Sequence, residues 1–170
     1  SLAGQVERVK QGKRFVVFDN GKTSSTKPIS ERDIANFIVK TIYSPLSRNK
    51  ILPVGGPGPS VNQREMGEII FSILGLKPKF IHFPSQIFSF INIILYPFCI
   101  FSSRISDIRE FCKIAHYYAT ESMLVWDKKA GKYSSKATPE SGDDTLKCFY
   151  INVLKNGINQ HKLKEGRLFK

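Results

Sequence analysis

The sequence predicts an α/β fold, a small mixed sheet accompanied by about five helices, and three observations carry that reading. Short apolar runs at residues 14–18 and 79–83 have strand character. Longer stretches repeat apolar residues at helical spacing, and clusters of Gly, Pro and Asn separate the two kinds of segment. With 170 residues the chain is long enough for one domain with its own core.

Residues 5–10 and 14–18 read as strands on either side of Gln11-Gly12-Lys13, a hairpin, and a turn follows at Asp19-Asn20-Gly21. Ser30 and Asp33 make a capping pair ahead of Ile34, Phe37, Ile38 and Ile42, which predicts a helix over residues 31–43 that Pro45 ends. Ile51-Leu52-Pro53-Val54 reads as a short strand. After the turn Gly55-Gly56-Pro57-Gly58-Pro59, Asn62 and Glu65 cap a second helix with Met66, Ile69, Ile70, Ile73 and Leu74 on one face, stopped by Gly75. A third amphipathic helix runs over residues 105–118 through Ile108, Phe111, Cys112 and Ala115. Residues 122–126 then read as a strand and 127–135 as a basic turn. Ser141 and Asp144 cap a last helix with Leu146, Phe149, Tyr150, Val153 and Leu154 inward, closed at Asn156-Gly157. The domain therefore covers residues 1–158, and 159–170 form a polar, loose tail.

The most apolar stretch, residues 80–101, contains no Asp, Glu, Lys or Arg. Pro84 and Pro97 cut it into a helix that also carries Ser85, Gln86, Ser89 and Asn92, short of the ~20 residues that cross a bilayer. It reads as a helix buried in the core, lining a ligand site, or lying on a membrane or partner through Ile87, Phe88, Phe90, Ile91, Ile94 and Leu95, with a marginal membrane span as the weaker alternative. The formal charge of +12 suits an anionic membrane surface or an acidic partner. A basic nucleic-acid-binding module is the weaker alternative: the lysines and arginines are dispersed, and their densest cluster, Lys128, Lys129, Lys132 and Lys136, lies in a turn-rich loop.

Three separated cysteines give neither a disulfide framework nor a zinc pattern, and Cys99, Cys112 and Cys148 read as small core hydrophobes in a reducing compartment. His82, His116 and His161 are too dispersed for a metal site. The turn at residues 55–59 has the setting of a dinucleotide loop but not its pattern: Gly56 and Gly58 fit, Val61 stands at the third glycine, and two prolines remove amide donors. A nucleophile elbow, a Walker loop, an HExxH zinc motif and a Tyr-x-x-x-Lys pair are absent from the sequence. The chemically richest place is the end of the third helix, where His116, Tyr117, Tyr118, Thr120 and Glu121 gather. Tyr117 with Thr120 or Glu121 can share a face and supply a general acid, or the aromatics pack in the core with their hydroxyls bonded.

Lys27-Pro-Ile-Ser-Glu-Arg-Asp-Ile-Ala-Asn-Phe-Ile, Ile51-Leu-Pro-Val-Gly-Gly-Pro-Gly and above all Phe111-Cys-Lys-Ile-Ala-His-Tyr-Tyr-Ala-Thr-Glu-Ser-Met-Leu-Val resemble divinyl chlorophyllide 8-vinyl reductases, atypical extended short-chain dehydrogenases. The resemblance runs from Ser1 to about Gly157, with Ala115 and His116 where the family commonly has Gly and Arg. It implies the C-terminal, substrate-side part of an extended NAD(P)-binding Rossmann-type fold. The implied activity is NADPH-dependent reduction of the 8-vinyl group of a chlorophyll precursor to ethyl, in a plastid, at a thylakoid or envelope membrane. NADPH would be held by a glycine-rich motif upstream of Ser1, in an N-terminal half that is missing here or supplied by another chain. Tyr117, Tyr118, His116 and Ser30 are the implied contacts to the tetrapyrrole. A catalytically inactive relative, serving as an accessory subunit of a photosynthetic membrane complex, is the other expectation.

Overall fold

Ala3, Val6 and Val9 are buried on one side of the first segment, so it folds as helix α1 (Leu2–Lys10) instead of a strand. The run is too short for its alternation to outweigh a helical apolar face that has a core to enter. The computed structural model describes residues 2–99 and 102–157; the tail expected at 159–170 and the last two residues of the apolar stretch lie outside the described residues.

With no partner at residues 5–10, strand β1 (Phe15–Phe18) finds one 65 positions downstream. It pairs in parallel with β4 (Phe80–Phe83), Phe15 opposite Phe80 and Phe18 opposite Phe83. Glutamine side chains close β1's other edge: Gln5 Oε1 accepts from Val16 N at 3.3 Å, and Gln63 Oε1 accepts from Phe18 N at 2.9 Å. Side-chain amides thus satisfy backbone groups that an unpaired parallel strand would leave bare. Strand β2 (Ser25–Thr26) pairs antiparallel with β3 (Val61–Asn62), and β5 (Val125–Asp127) with β6 (Lys132–Ser134). The expected single mixed sheet is therefore three two-stranded sheets among the described residues, set among six α-helices, and the basic turn is the tip and second strand of a hairpin.

Helix α2 (Glu31–Ile42) starts as expected, Ser30 Oγ accepting from Asp33 N at 3.0 Å, and it stops as expected ahead of Pro45, with Tyr43 as its cap, while Pro45 opens a 3-10 turn (Pro45–Ser47). Asn62 and Glu65 form a complete capping box on α3 (Gln63–Ile73), whose Met66 and Ile70 are buried. Helix α4 (Gln86–Leu95) lies between the two prolines and runs through a 3-10 turn (Tyr96–Phe98) towards α5 (Ser103–Thr120). No helix among the described residues is long and apolar enough to cross a membrane. Thr145, not Ser141 or Asp144, caps α6 (Leu146–Asn156), because Asp144 is taken up by Ser30 Oγ at 2.9 Å and Arg32 at 2.8 Å.

The core lies where α1, β1, α3 and α6 meet, around Val6, Val9, Val17, Ile70 and Tyr150. Phe80 joins it through edge-on contacts with Phe15 and Phe71 at 6.1 and 5.9 Å. Burial of the Tyr150 phenol raises its pKa well above the usual tyrosine range. Of the cysteines only Cys112 is a core residue; Cys99 is half-buried and Cys148 is exposed in the first turn of α6.

Two apolar segments stay outside this core. Ile51-Leu52-Pro53-Val54 is not a strand: none of its backbone groups is hydrogen-bonded among the described residues, and Ile51 is 98% exposed. On α2, Ile38, Val39 and Ile42 form an exposed stripe, and Tyr43 and Leu46 extend it.

Candidate functional site

The stretches that carried the family resemblance divide, in three dimensions, into scaffold and open surface. Lys27 is buried, and its ammonium donates to the carbonyls of Ser135 at 3.3 Å and Thr138 at 3.4 Å and to Glu140 Oε1 at 2.5 Å. That bond and charge, with the Gly58 amide, hold the Glu140 carboxyl below the usual glutamate range. Gly55 and Gly56 pack directly on Lys27 and Pro28, Gly56 N donating to Lys27 O at 3.2 Å. The glycine turn is therefore filled by its own chain, and the residues present do not form a cradle for a dinucleotide phosphate.

Ser30, implied as a substrate contact, caps α2 and bonds Asp144. Asp33 is buried behind it; the Asp144 amide, at 3.0 Å from Asp33 Oδ2, holds its carboxyl below the ordinary aspartate range, with smaller help from Ser30 and Arg32. Ser30 also lines an open cleft of about 790 Å³ between the N-terminal ends of α1, α2 and α6. No residue of α4 or α5 lines that cleft, so Ser30 belongs to a different site from the tyrosines.

At the end of α5 the scaffold part is equally clear. Ser122 Oγ accepts from Ser25 N at 3.1 Å, Met123 N donates to Ser25 O at 2.8 Å, and Thr120 Oγ1 donates back to His116 O at 3.0 Å. Thr120 and Glu121 thus close the helix, and Ser122 and Met123 tie it to β2. Tyr117 and Tyr118 have no such task. They are 54% and 58% exposed, not packed in the core, and their rings meet edge-on at 6.2 Å. Phe111 and Ile114, also exposed, continue the patch along α5.

His116 points the other way. Its Nδ1 lies 3.2 Å from the carbonyl oxygen of buried Ser85, so that nitrogen carries the hydrogen. The Ser85 amide donates to Asp19 Oδ1 at 2.9 Å, and Nδ1 of His82 reaches the Asp19 carbonyl at 2.8 Å. The Ser85 amide and then its hydroxyl keep the Asp19 carboxyl below the ordinary range, with a smaller contribution from His116. Asp19, in the left-handed region at φ 52°, directly follows β1, His82 is the next-to-last residue of β4, and Ser85 lies two residues beyond that strand's end. This polar group therefore sits at the carboxyl ends of two parallel strands, where α/β proteins commonly place ligands. Asp19 was not singled out from the sequence; its only local signal was the Asp-Asn-Gly turn, which has a purely structural use.

The candidate contacts of the apolar helix also divide. Ile87, Phe90 and Ile94 are exposed, whereas Phe88, Ile91 and Leu95 are half-buried, Phe88 meeting Phe18 at 5.0 Å. No group of three or more His, Cys, Asp or Glu able to hold a metal ion occurs among the described residues.

No family model matches the chain. Divinyl chlorophyllide a 8-vinyl-reductases, chloroplastic, from Zea mays and from Oryza sativa subsp. indica are each 43% identical to it over 169 residues, 99% of this chain and 42% of theirs. The Arabidopsis thaliana protein of that name is 43% identical over 165 residues, 97% of this chain and 40% of its own length. The chain thus spans about two-fifths of the length of the curated relatives it matches. From end to end it is a relative of the divinyl chlorophyllide a 8-vinyl-reductases, matching one part of them, as its own motifs indicated.

Proposed function

We propose that this chain is the substrate-side part of an NADPH-dependent reductase that converts the 8-vinyl group of a divinyl chlorophyll precursor to ethyl within a plastid. The observation that carries this reading is its 43% identity, along 99% of its length, with reductases of that name. A division of labour is supported by the glycine turn at residues 55–59, which packs on Lys27 and Pro28 and leaves no cradle for phosphate: NADPH is held by the part of the reductase that this chain does not match. The segment at residues 51–54, with its backbone groups unbonded, and the apolar stripe of α2 are a suitable place for that part to dock: unbonded backbone can be taken up by a sheet edge, and a helix stripe can cover the sheet face.

The macrocycle lies on the exposed aromatic patch of α5. Tyr117 and Tyr118 offer flat apolar area together with hydroxyls that can donate to it, and Phe111 and Ile114 extend the wall. His116 supports this surface from behind through Ser85. Titration of divinyl chlorophyllide into the chain, followed by the pigment's absorbance, tests the assignment. Saturable binding is expected, weakened about tenfold or more in the Tyr117→Ala/Tyr118→Ala variant, with Tyr117→Phe/Tyr118→Phe separating rings from hydroxyls. Equal affinity in the double-alanine variant removes the tyrosines from the site.

A further inference from the structure

The hairpin formed by α4 and α5 leaves large apolar side chains in the open and unpartnered polar atoms in its seam. Its helices are antiparallel: His116, late in α5, reaches Ser85 at the start of α4, and Arg109 stacks on Tyr96 at the other end, 4.8 Å from the ring centre. On α4 the half-buried positions mix Ser89 and Asn92 with Phe88, Ile91 and Leu95, while the exposed side holds Ile87, Phe90, Ile93 and Ile94. On α5 the inner side holds Ile105 among small or polar residues, Ser106, Arg109, Cys112, Ala115, His116 and Ala119, while Ile108, Phe111 and Ile114 face out. Asn92 Oδ1 and Arg109 Nε are buried in this seam with no partner among the described residues.

In water the opposite arrangement is favoured, because apolar side chains gain by leaving solvent and unpaired polar atoms lose by it. Large apolar side chains left outside, with small and polar residues admitted between the helices, suit surroundings that are themselves apolar. Length fixes how such a hairpin meets a bilayer. The ten residues of α4 span about 15 Å, half of the ~30 Å hydrocarbon core, so the helix enters one leaflet and does not cross. The outer face of α4 carries no charge, whereas Arg104, Asp107, Glu110 and Lys113 ring the exposed side of α5, where headgroups and water lie. The chain's net charge of +12 suits an anionic surface.

We propose that the α4–α5 hairpin is a monotopic membrane anchor that sinks Ile87, Phe90, Ile93 and Ile94 into one leaflet of an anionic bilayer. This goes beyond the reductase reading and holds whether or not the chain takes part in catalysis. The test is flotation of the 170-residue chain with vesicles of phosphatidylcholine and phosphatidylglycerol, beside vesicles of phosphatidylcholine alone. Wild type is expected to float with the anionic vesicles and more weakly with the neutral ones. Phe90→Asp/Ile94→Asp, checked for unchanged helicity and melting temperature, is expected to lose binding by about tenfold or more. Ile38→Asp/Ile42→Asp on α2, which removes equally exposed aliphatics, should float like wild type. Equal flotation of the α4 variant, or equal loss in the α2 variant, overturns the proposal. So does a wild-type chain that ignores vesicles and sediments as a dimer which Phe90→Asp/Ile94→Asp dissociates, an outcome that assigns the face to a second copy.

Discussion

Gly56→Ala is expected to cost about 3–5 kcal/mol, or to leave the chain insoluble, although it adds one methyl group at a turn. A Cβ at this position would sit 1.8 Å from the Pro28 carbonyl oxygen and 2.7 Å from its carbon. Those are backbone atoms, and they are fixed on both sides: Lys27 by its three acceptors, Ser30 by the α2 cap. The strain cannot be relieved by turning a side chain, so the two turns must separate. In thermal unfolding this amounts to a drop of roughly 10 °C. Gly75→Ala is the control. Gly75 has φ +65 but nothing within 4 Å of an added Cβ, so only the conformational cost of about 1 kcal/mol applies. If the two variants melt together, the close packing of the two turns is not what holds them.

Lys27→Met should be nearly as damaging. The methionine keeps most of the buried stem but removes the only ammonium that serves the carbonyls of Ser135 and Thr138 among the described contacts. Leaving buried acceptors without a donor costs about 1–3 kcal/mol each. The same bond anchors residues 135–140 against Gly55, whose amide donates to Pro139 O at 2.8 Å and whose carbonyl accepts from Ser141 N at 2.9 Å. Loosening this corner should therefore also expose the β5–β6 hairpin to proteolysis. The variant carries a pH signature as well. Glu140's folded pKa is depressed by Lys27, so its contribution is present above the unfolded value and lost as pH falls through the folded one. Urea midpoints measured from neutral pH down to acid should fall less steeply in Lys27→Met than in wild type. A wild-type midpoint and an unchanged acid slope would make Lys27 a bystander.

What was legible in the sequence was local. Ser30 with Asp33, and Asn62 with Glu65, are caps within one helical turn, and both form where they were read. The proline-bounded helix α4 and the closing Gly157 are likewise set by residues at their own ends. What failed depended on distant partners. The strand expected at residues 5–10 is a helix because Val6 and Val9 have a core to enter, and β1 pairs with β4 by a register no local pattern encodes. Asp144 is a good cap by chemistry, but Ser30 and Arg32 claim it, leaving Thr145 to start α6. The site shows the same split. His116, Tyr117 and Tyr118 were visible as a cluster of side chains, but adjacent positions on a helix diverge by about 100°, so the histidine turns inward to Ser85 and the tyrosines do not. Asp19 meets that histidine's neighbourhood only because two parallel strands end side by side.

If this chain is the substrate-side part of a reductase, it works together with the part of the relatives that it does not match. The direct measurement is conversion of divinyl to monovinyl chlorophyllide, followed chromatographically, with NADPH, this chain, and the part of the Zea mays reductase that the chain does not match. Turnover is predicted when both polypeptides are present and not with either alone. Turnover by the 170-residue chain alone, or none by the pair under conditions where the intact maize enzyme works, would contradict it.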